Sequence, residues 1–381
     1  DFSRDFANQS GLYGFGIRDF DLGMGMFNPA IPVEGLPSFT ALKATAQSFT
    51  THGFGDWLNI DAQGITIQLN TGDAWPGGYG PPVIDFQSSF AETDAGGFAV
   101  PTGGEPVILD YDGNERIGVS IQKARLDILQ FVHLQGGFVF EKGPTHTVDV
   151  STGIPAEWGQ LAGAGALDEA INAISSHAGL EFSEDFSTLS GLEVGSMTVS
   201  ATDVTGFVGL GDPDLDRSLT DQDLIGFGVQ DLDFGMGMFS PTIPQLDSYF
   251  QFTALNISVG RFSTLGFDDY LEISGENLEI RMNQGTALPG GIATPVIDFA
   301  GSFPAQDGNP DNDGLVDEPA GFQVPTAGDP VYLDYRGGIT GVSLDTALIN
   351  ILAFIYLDGS FAFAMGPTHR IGVNTEQVAD E

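Results

Sequence analysis

The chain states one long pattern twice. Residues 12–29, LYGFGIRDFDLGMGMFNP, return as residues 224–241, LIGFGVQDLDFGMGMFSP, and the likeness runs on to GPTH at 143–146 and again at 366–369. A duplication of this length makes the repeat an architectural unit, so both copies must fold onto one framework. Phe39, Gly53, Phe54, Asp56 and Asn70 match Phe252, Gly266, Phe267, Asp269 and Asn283, all at an offset of 213. By Phe98 and Phe322 the offset is 224, so the second copy carries 224 minus 213, or 11, extra residues between Phe303 and Phe322. From Gly118 and Gly341 onward it is 223. An insertion this local reads as one elongated loop on a shared scaffold.

The repeat divides the chain into a first β module over 1–153, a connecting segment over 154–211 and a second β module over 212–381. The connecting segment reads as helical at about 156–177, where Leu161, Leu167, Ala170, Ile171 and Ile174 recur three and four apart, and as β thereafter. The chain opens at the point equivalent to about Pro213 and closes at the equivalent of Trp158, with no apolar leader. That phase predicts a mature product, or an excerpt of a longer repetitive polypeptide, with any signal peptide gone.

The local pattern is β. In Phe20 to Met26 the apolar side chains fall on alternate positions, and Asp19, Asp21, Gly23 and Gly25 occupy the other face. Leu232, Phe234, Met236 and Met238 repeat this against Asp231, Asp233, Gly235 and Gly237. A strand face lined by glycine lets another backbone approach closely. Gly-, Asp- and Pro-rich separators such as Trp75-Pro76-Gly77-Gly78 and Asp112-Gly113-Asn114 mark turns. The apolar runs Ala124 to Leu134 and Ala347 to Leu357 lack helix caps and read as long buried strands. His146 and His369 follow a Gly-Pro pair and read as turn-edge histidines at strand ends. The fold expected is all-β, two homologous tandem modules of long antiparallel strands, each a β-sandwich or a short β-solenoid.

Composition sets the partners. With 52 acidic and 12 basic residues the net charge is -40, which removes the basic footprint that nucleic acid requires and disfavours an anionic membrane surface. No run of about 20 apolar residues spans a bilayer as a helix, so membrane insertion is not expected. The absence of Cys removes disulfides and thiolate metal sites. Self-repulsion of this size calls for bound cations or a saline medium.

The sharpest chemical motif lies in the insertion. Asp307, Asn309, Asp311, Asp313, Asp317 and Glu318 set side-chain oxygens along a Gly-containing loop, the pattern a hard cation with six to eight oxygen ligands needs, and calcium is the expected ion. Counted from Asn309 the loop follows an EF-hand through its ninth position, but Ala320 stands at the twelfth, so Glu318 would replace the bidentate Glu. Asp212, Asp214 and Asp216 form a weaker metal candidate. Trp75 and Tyr79 in WPGGYG are candidates for stacking on a sugar ring. There is no G-x-S-x-G elbow, no H-E-x-x-H, no P-loop and no dinucleotide fingerprint, and no catalytic residue is assigned.

These acidic, Lys-poor, Cys-free modules, with GSFAF and GPTH endings and a calcium-loop-like insertion, resemble the tandem modules of very large secreted bacterial surface proteins of the calcium-binding adhesin type. The resemblance implies an extracellular, cell-surface protein, calcium-stiffened and structural or adhesive; long strands with glycine-lined faces also offer edges for strand addition, so the partner expected is itself, in a fibre, sheath or surface layer. A polysaccharide-binding module is the alternative, and a secreted hydrolase a third reading.

Overall fold

The computed structural model describes residues 13–31, 35–73, 81–92, 96–155, 157–158, 164–267, 270–306 and 318–366. As expected, the protein is built of long antiparallel strands. The first copy supplies β1 (Gly14–Phe27), β2 (Phe39–His52), β3 (Leu58–Gly72), the single turn α1 (Phe86–Ser89), the short pair β4 (Phe98–Val100) and β5 (Val107–Leu109), then β6 (Arg116–Ile128) and β7 (Val132–Ser151). The segment between the copies carries helix α2 (Ala164–Ser175), β8 (Glu181–Phe182) and the 23-residue β9 (Thr188–Leu210). The second copy repeats the first as β10 (Ile225–Pro241), β11 (Phe252–Leu265), β12 (Leu271–Gly285), β13 (Val296–Ile297), α3 (Phe299–Ser302), β14 (Phe322–Val324), β15 (Val331–Leu333), β16 (Ile339–Ile351) and β17 (Ile355–Met365).

Both copies belong to one open sheet. Its order is β1-β2-β3-β6-β7-β9-β10-β11-β12-β16-β17, with β13 beside β7 and β8 beside β9. β9 lies between the copies, antiparallel to β7 on one side and to β10 on the other.

One face of the sheet is dressed and the other is bare. The β4-β5 and β14-β15 hairpins lie on the face lined by glycines, as the alternation in β1 and β10 predicts. A Cβ built on Gly23 would stand 2.6 Å from the Cβ of Val107, and one on Gly235 would stand 2.6 Å from a γ-carbon of Val331, so only glycine admits the hairpin this close. Each dressing is tied down identically. Asp85 and Asp298 cap α1 and α3 by accepting from Ser88 N and Gly301 N at 2.8 Å. Asn70 donates to the carbonyls of Ile84 and Asn114, and Asn283 to those of Ile297 and Gly337. The main core gathers here: Phe239, Phe252, Phe299, Phe322 and Leu333 pack with Leu167, Ile171 and Ile174 of α2 and with Leu189, Leu192 and Val194 of β9.

Two expectations are corrected. Ala124 to Leu134 and Ala347 to Leu357 are not single buried strands. Each is a hairpin tip. Leu129 and Gln130 both have positive φ (54° and 51°), as do Leu352 and Ala353 (55° and 50°), and Phe131 N donates to Ile128 O as Phe354 N does to Ile351 O. Positive φ at both central residues is the geometry of a two-residue type I′ turn, which here contains none of the Gly or Asn that announces such turns. Likewise GPTH at 143–146 is not a strand end. It lies inside β7, where the pairing with β9 shifts register between Lys142 and Thr145, and His146 is paired with Val194. A bulge absorbs the proline, which has no N–H for the ladder.

A crease crosses the sheet near mid-strand. Asp19, Asp203, Asp231 and Asn277 adopt φ between 46° and 55°, Gly64 has φ 62°, and the ladders shift register between Ile121 and Ala124, Gln135 and Gly137, and Leu344 and Ala347. Asp, Asn and Gly are the residues that enter the left-handed region most cheaply. Asp19 and Asp231 therefore bend their strands; they are not regular members of an alternating face.

Candidate interaction surface

Beside the crease, the first two rows of side chains on the face opposite the hairpins are apolar on every strand except for Thr340. Cross-strand partners place Phe20, Ala46, Ile65, Ile121 and Phe138 of the first copy in one row with Ala201 of β9. The row continues through Phe234, Ile257, Ile280, Val342 and Phe363. The next row begins Leu22, Ala44, Ile67, Val119 and Phe140, and ends at Met365. Neither row contains a charge, although the chain has 52 acidic residues. Lys43 with Asp110 at 2.9 Å and Arg116 with Glu141 at 3.6 Å lie on the other face, whereas Lys142, in the third row beside Ile117 and Met197, pairs with Glu115 at 2.8 Å at the far end of this face.

This apolar face is open to solvent. Ile67, Val119 and Phe140, in the interior of the sheet, remain 38–39% exposed, and Phe361 at the margin is 61% exposed. At the hairpin tips, across the crease, Trp57, Phe131, Tyr270 and Phe354 are exposed as well. Monomeric proteins rarely leave so wide an apolar patch uncovered.

The sheet margins are the second feature. β17 repeats β7, so that Leu357, Phe361 and Phe363 stand where Leu134, Phe138 and Phe140 stand, at the offset of 223. β7 has its second edge filled by β9, whereas β17 ends the sheet among the described residues and is exposed along its whole length. At the opposite margin β1 repeats β10, whose outer edge β9 also fills, and β1 has no outer neighbour among the described residues. A further contact joins the copies: Val296 and Ile297 pair with Ser151 and Val150, Asp298 N donates to Asp149 O, and Asp149 N donates to Ser302 Oγ, both at 2.8 Å. The first copy displays the counterparts Val83, Ile84, Asp85 and Ser89. Val83 and Ile84 pair with no strand among the described residues.

The expected chemical sites fall as follows. Asp307, Asn309, Asp311, Asp313 and Asp317 lie outside the described residues, as do Trp75 and Tyr79. Glu318 pairs with Gln306 through two backbone hydrogen bonds, at 3.0 and 3.1 Å, where the insertion re-enters the described structure. Asp212, Asp214 and Asp216 do not converge. Asp214 accepts from Asp216 N, while the Asp216 carboxylate accepts from Lys123 and Gln135 at 2.8 Å; these bonds hold its pKa below the ordinary value. No three His, Asp or Glu side chains gather as a metal site among the described residues.

Asp127 and His133 form a pair that the sequence did not announce. His133 Nδ1 lies 2.8 Å from Asp127 Oδ1 beside a cavity of about 510 Å³ lined by Asn59, Gln130 and Gly211. Partial burial raises the Asp127 pKa, but hydrogen bonds with His133, Arg125 and Asn59 outweigh it, and the net direction is downward. The second copy has Asn350 and Tyr356 at these positions, so the pair belongs to the first copy alone. Asp212 lines the cavity with them, and no Ser or Thr among the described residues does. No helix among the described residues is long and apolar enough to cross a membrane.

Comparison with known proteins finds no matching family model, no matching curated sequence and no matching solved structure.

Proposed function

We propose that the protein is a structural repeat unit whose sheet is continued at both margins by further copies of the same unit, on its own or another chain. The observation that supports this most directly is the joint between its two copies. One half of that joint, the outer edge of β7, is displayed again by β17; the other half, the outer edge of β10 with Val296 and Ile297, is displayed again by β1 with Val83 and Ile84. An open strand edge is a template for strand addition, which proteins that stay monomeric usually block. In this reading the protein belongs to an extracellular fibre, sheath or surface layer. Calcium held by the 307–318 loop stiffens it and offsets part of its negative charge.

The polarity of the strands specifies the missing piece. β7 and β10 run in the same direction and β9 bridges them from the opposite one; β17 and β1 also run in the same direction. A β9-type strand is therefore what each margin lacks. Since Glu381 is equivalent to Trp158, a copy of residues 159–223 appended after Glu381 continues the repeat in phase. Hydrogen exchange then reads the result. Amides of Phe361 to Met365 are expected to slow at least tenfold on extension, and longer tandem chains are expected to form longer ribbons in electron micrographs. Unchanged exchange in β17 would sink the proposal.

A further inference from the structure

We infer that the bare apolar face is the half-core of a two-layered assembly, covered by the same face of a second copy of this chain. This goes beyond edge-to-edge continuation and does not depend on it, because the two contacts use different surfaces.

Three observations favour a second copy as the occupant. The first is extent. Eleven strands spaced by about 4.8 Å, with two apolar rows of side chains about 7 Å apart, make a face of roughly 50 Å by 14 Å. Pairing two such faces buries about 1,400 Å² in total, within the range of a stable standard interface. The second is symmetry. The central row reads nearly the same from either margin in side-chain size: Phe20 answers Phe363, Ile65 answers Ile280, and Phe138 answers Phe234 about Ala201 on β9. A two-fold axis parallel to β9 and midway between two facing sheets sets residues of like size opposite one another along this row, in the isologous contact of a dimer. The third is charge. A body with a net charge of -40 can approach its own copy closely only through a surface free of carboxylates, and these rows contain none. Pairing here sends the acidic groups of both copies outward. Aligned sheets about 10 Å apart with interdigitating inner side chains are the ordinary packing of a β-sandwich, so the second layer comes from the second copy.

The test is the mass of the full chain in solution, by sedimentation over about 1–50 µM, beside a double variant Ile67→Asp and Val119→Asp. These residues are neighbours across β3 and β6 and face solvent in the single chain. The wild type is expected to dimerise, and the variant to dissociate at least 100-fold more readily while keeping the wild-type circular dichroism. Should the aspartates unfold the chain, Ile67→Thr with Val119→Thr replaces them, with a weaker dimer expected. A lysine pair, Ala362→Lys with Ala364→Lys, whose side chains alternate away from Phe361 and Phe363, charges the β17 margin against strand addition and is expected to leave the face-paired dimer intact, separating the two contacts. A monomeric wild type overturns the inference, as does a dimer unaffected by the face variants. So does transfer of the chain from dimer to phosphatidylcholine vesicles in a flotation assay, which would make lipid the occupant.

Discussion

The hydroxyl of Tyr335 donates to the carbonyl oxygen of Leu255 at 2.7 Å, and 224 residues earlier Tyr111 donates in the same way to Leu42. Each tyrosine also accepts on its own carbonyl, from Phe299 N and Phe86 N respectively, at 2.8 Å. One residue thus fastens both the helical turn and the strap after the short hairpin to the sheet. Burial pushes both phenols up, Tyr111 to about 12, so both remain protonated donors throughout the physiological range. Tyr335→Phe is expected to lower stability by about 1 kcal/mol in urea titrations, because a hydrogen bond from the strap to the sheet is lost. Tyr111→Phe should fall in the same range. An unchanged midpoint for both would remove the strap from the account of stability.

Gly235 separates packing from propensity. Alanine there would place a carbon 2.6 and 2.7 Å from two side-chain carbons of Val331, with Val324 at 3.3 Å. Gly235→Ala should therefore cost about 1–3 kcal/mol, the range for overpacking, by lifting the β14-β15 hairpin. Gly195, on β9, has no neighbour within 4 Å of the same added carbon. Gly195→Ala is expected to be neutral or mildly stabilising in the same melts, and a matching loss at both sites would contradict the close-approach argument.

The hairpin tips make the opposite prediction. Gln130 and Ala353 occupy left-handed positions at φ 51° and 50°. Gln130→Gly and Ala353→Gly relieve the steric cost of that region and should each raise stability by about 0.5–1 kcal/mol, net of the freedom glycine adds to the unfolded chain. A fall in melting temperature for either would show that the turn is not of the type assigned.

His146 carries a pH signature. Its ring meets Phe303 and Phe322 edge-on at 5.6 and 5.1 Å, its Nε2 is buried without a partner among the described residues, and burial lowers its pKa from the ordinary 6.5. The neutral form is favoured in the folded chain. Its contribution is thus complete above about pH 6.5 and is lost progressively as pH falls from there toward the folded value. His146→Phe should shrink the difference in melting temperature between about pH 7.5 and pH 5.5. An unaltered difference would place the acid sensitivity elsewhere.

Much of this was legible in the chain. The period-two alternation of Phe20 to Met26 gave the strand, and Gly23 and Gly25 on its other face correctly marked a close approach. What the alternation did not say is which face is buried. Here the glycine face receives the hairpins and the phenylalanines and methionines are left open, against the rule that the apolar side of a strand turns inward. The hairpin tips at Leu129 and Leu352 were hidden because their turn residues carry no turn signal. The Asp127 and His133 pair was hidden because their proximity arises from hairpin pairing, which composition does not encode.

The chain read alone told that two copies share one β framework and where the single large insertion lies. These follow from residue identity and spacing, which are local. It took the fold to show that the copies are halves of one open sheet, that β9 joins them, and that one face and both margins are unfilled among the described residues. Those facts depend on which distant strands pair, and strand pairing is set by the register of whole ladders, not by any segment read alone.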